Sequence, residues 1–243
     1  MRILVVSDIH ANWAALREMP ENVDRVLFLG DLVDYGPDPR PCIDWVRDHK
    51  AVGVRGNHDN AVAFRVGCGC APAMRDAAEE TRGLMWDLLD PADVAALGAL
   101  PLAADVTLGG VRFHLVHATP SDPLYTYLRP DQGRRWADEI ELVDADVILV
   151  GHTHLPMVMR VGKKVVVNPG SVGQPRDGDP RAAFAIVEDG EPRLERVTYD
   201  VEETVEALAS RALTSRTVGS LSRVLRSGGR VGPDEERKRV REG

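Results

Sequence analysis

Short runs of β-branched and leucine residues recur along this chain, and nearly every one ends in a residue able to bind a metal ion. Residues 3–6 (Ile-Leu-Val-Val) run into Ser7-Asp8-Ile9-His10, residues 26–29 into Gly30-Asp31, and residues 51–54 into Gly56-Asn57-His58-Asp59. Further on, residues 111–116 end at His117, residues 147–150 at Gly151-His152-Thr153-His154, and residues 165–167 at Asn168-Pro169-Gly170-Ser171. A short, continuous apolar run is the pattern of a strand covered on both faces, the condition of parallel strands inside an α/β protein. Helices are predicted between the first three runs. Asn12 stands where an N-cap belongs, ahead of a helix that stops before Pro20, and Asp38-Pro39 opens a second helix through Ile43, Trp45 and Val46. Right-handed crossovers then bring the strand tips to one end of the sheet, where open α/β folds hold their ligands.

The tips collect Asp8, His10, Asp31, Asn57, His117, His152 and His154. Carboxylate, carboxamide and imidazole together suit Mn²⁺, Fe, Co²⁺, Ni²⁺ or Zn²⁺ better than an all-oxygen Mg²⁺ or Ca²⁺ site. Seven candidates exceed what one ion needs and point to two ions sharing an Asp, as in sites that clamp a phosphoryl group. The two-residue spacing of Asp8 with His10, and of His152 with His154, would set each pair on one side of an extended strand.

The rest of the chain bounds the fold and the partners. With 243 residues, 44% hydrophobic and 28% charged, the chain can bury a core without disulfides and is not wholly disordered. Its apolar runs fall far below the ~20 residues that span a bilayer, and the first meets Asp8 too early for a signal-peptide core. A cytoplasmic protein with no membrane partner is expected. Cys42, Cys68 and Cys70 cannot all pair within one chain, which fits a reducing compartment, and Cys68-Gly69-Cys70 lacks the second pair a zinc site requires and reads as an ordinary loop. Residues 223–243 hold seven Lys/Arg against four Asp/Glu, a local +3, so with the whole chain at −8 the remainder carries −11. That balance disfavours long nucleic acid but not a small anion, because bound metal ions reverse the charge locally.

From about residue 60 to 100 the reading is helical, with Ala77, Ala78, Thr81, Leu84, Met85 and Leu88 near a 3.6-residue period. A hairpin across Gly109-Gly110, a helix over about 131–143, an antiparallel pair across Asp189-Gly190 and one long helix over about 201–226 follow. Residues 227–243 read as a polar, mobile tail. Trp13, Trp45, Trp86 and Trp136 read as helix-face packing, and His49 and His114 as ordinary structural histidines.

The blocks Asp8-Ile9-His10, Gly30-Asp31-Leu32-Val33-Asp34, Gly56-Asn57-His58-Asp59, His117 and Gly151-His152-Thr153-His154 resemble, in identity and order, those of the calcineurin-like metallophosphoesterase superfamily. Asn168-Pro169-Gly170-Ser171-Val172-Gly173 extends the resemblance to about residue 190 and is similar to the small prokaryotic phosphodiesterase-like members. The resemblance implies an α/β fold: a four-layer α/β/β/α sandwich of two mixed sheets over residues 1–226, with a helical insertion at about 60–100 and a C-terminal helix at about 201–226. It also implies two divalent ions, Mn²⁺ foremost, with Fe, Ni²⁺, Co²⁺ or Zn²⁺ as alternatives. Asp8, His10 and His154 would hold one ion, Asn57, His117 and His152 the other, with Asp31 bridging. A hydroxide between the ions would attack phosphorus, while His58, oriented by Asp34, protonates the departing oxygen.

The implied substrate is a small phosphate ester or nucleotide-type molecule, hydrolysed by a phosphodiesterase and/or phosphatase activity. Phosphoprotein phosphatases place a phosphate-holding Arg next to the position of Asp34, where this chain has Tyr35, which counts against that activity. Arg176, Tyr35 and Tyr125 are the candidates for substrate contact, with Tyr127 a further ring able to stack on a base. The competing readings are a nuclease or oligonucleotide phosphodiesterase, and a metal-free binding scaffold. The intact ligand set argues against the scaffold, since buried carboxylates and imidazoles are costly without ions.

Overall fold

The computed structural model describes residues 1–229, so the tail expected at 227–243 lies outside the described residues from position 230 onward. Along the chain the elements are β1 (Arg2–Val6), α1 (Trp13–Leu16), β2 (Arg25–Phe28), α2 (Pro39–Asp48), β3 (Val52–Gly53) and α3 (Asn57–Phe64). Next come α4 (Arg75–Leu88), α5 (Pro91–Ala99), β4 (Ala103–Leu108), β5 (Val111–Val116), α6 (Gly133–Glu141), β6 (Val147–Leu149), β7 (Met157–Val161) and β8 (Lys164–Asn168). The chain closes with β9 (Ala182–Glu188), β10 (Glu191–Val197), α7 (Val201–Ala209) and α8 (Ser215–Ser227).

Two five-stranded mixed sheets result, in the orders β10-β9-β1-β2-β3 and β4-β5-β6-β8-β7. Strands β1, β2 and β3 are parallel, with antiparallel β9 and β10 continuing the sheet beyond β1, while the parallel trio β5, β6 and β8 is flanked by antiparallel β4 and β7. Side-chain alternation assigns the layers. Ile3, Val5, Leu27 and Leu29 face inward and meet Phe113, Leu115, Val147, Leu149, Val165 and Val167 of the other sheet. The alternate residues Leu4, Val6, Val26 and Phe28 pack outward on helical residues such as Leu16, Ile43, Val62 and Met85. On the far side Ile148, Val150 and Val166 are covered by Trp136 and Ile140 of α6. Both sheets are therefore buried on both faces, which is why their central strands carry unbroken Val, Ile and Leu. The architecture is the four-layer α/β/β/α sandwich, and both sets of parallel-strand tips open at one end.

Several details depart from the sequence reading. The single helix expected over 201–226 is two, because Thr214 caps a new start: its hydroxyl accepts from the Thr217 N–H at 3.3 Å and its own N–H donates to Glu80 at 2.9 Å. The break lets α7 lie near α1 while α8 lies near α4, so Val205 and Leu208 share a cluster with Leu221, Leu225, Ala77 and Ala78. Strand β7 was not anticipated, and Asn57 opens helix α3 rather than ending a strand. The Asn12 cap is present, accepting from the Ala15 N–H at 3.2 Å. Of the four tryptophans, Trp136 is fully buried and Trp13, Trp45 and Trp86 pack against the main core. Among the described residues no helix is long and apolar enough to cross a membrane.

Candidate metal centre

Seven candidate donors converge at the open end, five of them, together with neighbouring Asp34, on strained backbone. Asp8 (φ 52°), His10 (φ 48°), Asp31 (φ 57°), Asp34 (φ 74°), His152 (φ 64°) and His154 (φ 59°) are all left-handed without being glycine. Such conformations cost of order 1–3 kcal/mol each and persist where surrounding contacts enforce them. These residues lie beyond the ends of β1, β2 and β6, so strand alternation is not what brings Asp8 beside His10 or His152 beside His154. The tight turns do that. Gly56 permits one close approach: a Cβ there would run into the Asp31 carboxylate.

Two groups form. Asp8, His10, Asp31 and His154 offer one ligand atom each within 4.8 Å of one another, and all four are buried; Asp31, His117 and half-buried His152 make the second, sharing Asp31. Asn57 joins the latter. Its Nδ2 donates to the Cys68 carbonyl at 2.7 Å, which turns Oδ1 inward to 2.9 Å from His117 Nε2 and 3.1 Å from His152 Nδ1.

The chemistry of these donors fits metal ions. Nδ1 of His10, His117 and His154 meets the backbone carbonyls of Val33 (3.2 Å), Leu29 (2.7 Å) and Gln174 (2.5 Å). An imidazole whose Nδ1–H is spent on a carbonyl presents an Nε2 lone pair, the arrangement that orients metal-binding histidines. Burial pushes His10 and His154 below the ordinary histidine value, so both are neutral, yet their Nε2 atoms stand only 3.2 Å apart. Two facing lone pairs at that distance call for a cation between or beside them. Asp8 Oδ1 is buried without any hydrogen-bond partner, a costly position for a carboxylate oxygen that a cation would relieve. In the second group burial would lower His117, but the Asp31 carboxylate outweighs it and raises His117 to about 9. A proton is thus drawn to the atom where a metal ion would otherwise supply the positive charge.

Around the two groups lie residues that hold them in place. Asp31 Oδ1 accepts from the His58 N–H at 2.8 Å. Asp59 accepts the N–H groups of Asp31, Leu32 and Gly56 at 2.8–3.0 Å, clamping the β2 tip to the start of α3; burial and the Asp31 carboxylate push it up to about 6 against the pull of those donors. The segment after β8 braces the other side. Asn168 donates to the Gly151 carbonyl at 2.7 Å, Ser171 Oγ to the Asp8 carbonyl at 2.7 Å, and the Val172 and Gly173 N–H groups to Ser7 and Asp8 at 3.0 Å.

His58 sits beside the first group with its Nδ1 2.8 Å from Asp34 Oδ2. Burial works against its charged form, but Asp31 and Asp34 outweigh burial and raise it above the ordinary value. Asp34 is in turn held by Thr81 Oγ1 (2.8 Å) and Arg82 (3.3 Å) from α4. Neither residue was anticipated as part of the site. The available signal was a hydroxyl and a guanidinium beside the core-facing positions of that helix.

The substrate candidates separate. Tyr35 is 2% exposed and packs against the His10 and His58 rings at 4.9 and 4.7 Å, so it supports two imidazoles from beneath instead of lining the cleft. Arg176, half-buried, donates to Gln174 Oε1 at 2.7 Å and lies close enough for its charge to lower His154. Tyr125 is 45% exposed beside Asn60 and over Gly69. Tyr127, 43% exposed, donates its hydroxyl to the Thr153 carbonyl at 3.0 Å and meets the His152 ring edge-on at 5.5 Å. His114 and His49 are away from the centre, against Asp105 and the Trp45 carbonyl, as structural histidines.

Known proteins share this architecture. The chain is 30% identical over 236 residues to an uncharacterized protein of Methanocaldococcus jannaschii, an alignment covering 87% of this chain and 93% of that protein. The crystal structure of a metallophosphoesterase from Sphaerobacter thermophilus superposes over 94% of this chain and all of that one, with TM-score 0.78 and 31% identity. A hypothetical protein from Pyrococcus horikoshii has the same fold, at TM-score 0.81 over 95% of this chain and 99% of that one, with 21% identity. The model of the calcineurin-like phosphoesterase superfamily domain matches residues 1–190, which include both parallel trios and every ligand block, and the chain belongs to that superfamily.

Proposed function

We propose that the protein hydrolyses small phosphoric esters, as a phosphodiesterase and/or phosphatase, with two divalent ions in the two groups that share Asp31. The sharing of one carboxylate between two convergent sets of donors carries this reading. Asp8, His10 and His154 would hold the first ion with Asp31; Asn57, His117 and His152 would hold the second. The mixed oxygen and nitrogen set is compatible with Mn²⁺, Fe, Co²⁺, Ni²⁺ and Zn²⁺, and the family resemblance puts Mn²⁺ first. When bound, such ions supply Lewis acidity, polarising phosphoryl oxygens and making water nucleophilic at neutral pH.

The chain's own residues do the remainder. His58, protonated and aimed by Asp34, delivers its proton to the departing ester oxygen, so that the alkoxide leaves as an alcohol. Asp34 keeps the imidazole in one orientation and stabilises its charged form, and Thr81 and Arg82 keep Asp34 in place. Arg176 supplies a guanidinium at the edge of the first group for a phosphate oxygen. Tyr127, exposed beside His152, and Tyr125, exposed beside Asn60, are rings able to stack on the base of a nucleotide-type substrate. The acidic chain disfavours long polyanions, so a small ester is the expected partner.

The test uses protein purified without chelator. Metal content near two ions per chain, with Mn²⁺-dependent hydrolysis of bis-p-nitrophenyl phosphate or p-nitrophenyl phosphate, is expected, and the ratio of the two rates defines the ester class. Protein that holds no ion and hydrolyses neither ester in any of Mn²⁺, Ni²⁺, Co²⁺ and Mg²⁺ would overturn the reading. His58→Ala should retain both ions yet lose about 10²–10⁴-fold on an alkyl ester, and far less on a p-nitrophenyl ester, whose leaving group needs no proton.

A further inference from the structure

The loops that build the metal centre continue into a neighbouring cleft. Tyr127 meets the His152 ring, and Arg129, two residues on, lines the cleft; Leu155 follows His154 into it, and Asp177 follows Arg176. Three separate segments thus pass from centre to cleft within one or two residues, which sets the two side by side. The cleft lies where Pro156 leads into β7 beside β10, which contributes Leu194, Glu195 and Arg196. Its volume is about 500 Å³, within the range of small-molecule sites.

The lining has two characters. Pro130, Leu155, Pro156 and Leu194 are apolar, and Leu194 stands 40% exposed, so an apolar ring laid on it would release water from both surfaces. The polar residues are unequally engaged. Arg196 is taken up by the Asp177 carboxylate and by the Asp179 and Arg181 carbonyls at 3.1 and 3.0 Å. Arg129 stands 3.7 Å from Asp131, beyond hydrogen-bond reach, with its side chain 58% exposed, so its guanidinium plane can lie against a ring. The Asp131 and Glu195 carboxylates can accept from hydroxyl or amino groups. Three carboxylates, Asp131, Asp177 and Glu195, stand against two guanidiniums, so a second anionic group on a ligand would meet surplus negative charge.

We propose that this cleft binds the nucleoside portion of a phosphoric ester whose phosphate lies at the metal centre, and that it selects nucleosides carrying no further phosphate. The proposal rests on the phosphoric-ester reading of the centre and names its substrate class. Leu155, Pro156 and Leu194 cover the base, the Arg129 guanidinium lies against its face, and the sugar and base donors meet Asp131 and Glu195. Arg176, one residue from Asp177, stands at the junction for the phosphate. A bare sugar would leave the apolar walls uncovered, and an acyl chain would offer the carboxylates no donor.

Two measurements on the full-length protein test this. The first needs no turnover: thymidine, an uncharged probe, is titrated into isotopically labelled protein while backbone amide resonances are followed. Shifts are expected at residues 129–131, 155–156 and 194–196, with a Kd on the order of 0.1–1 mM, weakened about tenfold by Leu194→Glu, which places a charge on an exposed wall. No shifts there at about 10 mM thymidine, or shifts confined to the surroundings of Tyr125 and Tyr127, would overturn the proposal. The second compares kcat/KM for the p-nitrophenyl ester of thymidine 5′-phosphate with that for methyl p-nitrophenyl phosphate. Wild type should favour the nucleoside ester by about tenfold or more, Arg129→Ala and Leu194→Glu should shrink that preference, and a 3′-phosphate on the thymidine should erase it. A preference that survives both substitutions, or the added phosphate, counts against the cleft. Thymidine shifts at the cleft of a protein that hydrolyses neither ester would support the cleft while overturning the hydrolytic reading of the centre.

Discussion

The two donor groups share Asp31 but differ in seclusion. Asp8, His10 and His154 are buried, and His10 and His154 are locked by backbone carbonyls at Nδ1. The second group keeps one partly exposed member, His152, with the Tyr127 ring at its edge. A sealed site exchanges its contents slowly and its donors cannot relax, so in the proposed reading an ion there would be part of the structure. The open site faces the solvent from which a substrate arrives. The difference suggests a division of labour, one group anchoring and the other receiving, across a carboxylate that neither can spare.

Breaking the shared element should have the largest effect. Asp31→Asn is expected to remove hydrolysis by about 10³-fold or more, since it withdraws several kcal/mol of charge stabilisation from both groups. Metal analysis should show loss from both sites. Retention of one full equivalent with substantial turnover would mean the groups are independent.

Next comes the contrast itself. His154→Ala leaves Asp8 buried and short of a partner and should cost about 3–5 kcal/mol of thermal stability in the metal-loaded protein. His152→Ala should cost about 1 kcal/mol while still weakening ion retention at the open group. Calorimetric scans of the two variants read the difference directly, and equal losses would erase the distinction between anchoring and receiving groups. The smallest expected effect is at the rim: Arg176→Ala should raise KM about tenfold, the worth of one charge-assisted contact, with metal content unchanged. Steady-state kinetics with KM unaltered would remove Arg176 from the substrate site.

Much of this centre was legible in the sequence because metal binding demands particular side chains, and side chains are what a sequence displays. All seven residues named as candidate donors converge in the structure, yet the geometric reason offered for two pairs was wrong. Asp8, His10, His152 and His154 follow their strands on left-handed turns that only the surrounding contacts enforce, so a period-two argument had no purchase there. The supporting atoms were harder to see. Val33, Leu29 and Gln174 act through their carbonyl oxygens, which every residue has. Thr81 and Arg82 sit inside a helix whose apolar period made Thr81 pass for a core position. Tyr35, named as a substrate contact, has its ring inside the protein against His10 and His58, because the left-handed turn it shares with Asp34 carries both side chains inward. The division between α7 and α8 turned on one threonine cap amid a long helical pattern.

The pairing order of the first sheet also bears on how the protein is made. Strand β1 lies between β2 and β9, and the backbone of Ser7 and Asp8 is hydrogen-bonded to Val172 and Gly173. A ribosome that has delivered the first donors must add well over a hundred residues before their partners exist. At about 5–20 residues per second, Asp8 and His10 wait on the order of ten to forty seconds for β9 to emerge. Throughout that interval the nascent chain displays an open β1 edge and two loose ligands. In the proposed reading, ions would load only once His154 and the segment after β8 have been made, because a chain whose later half has not docked would lack the donors and braces to retain them.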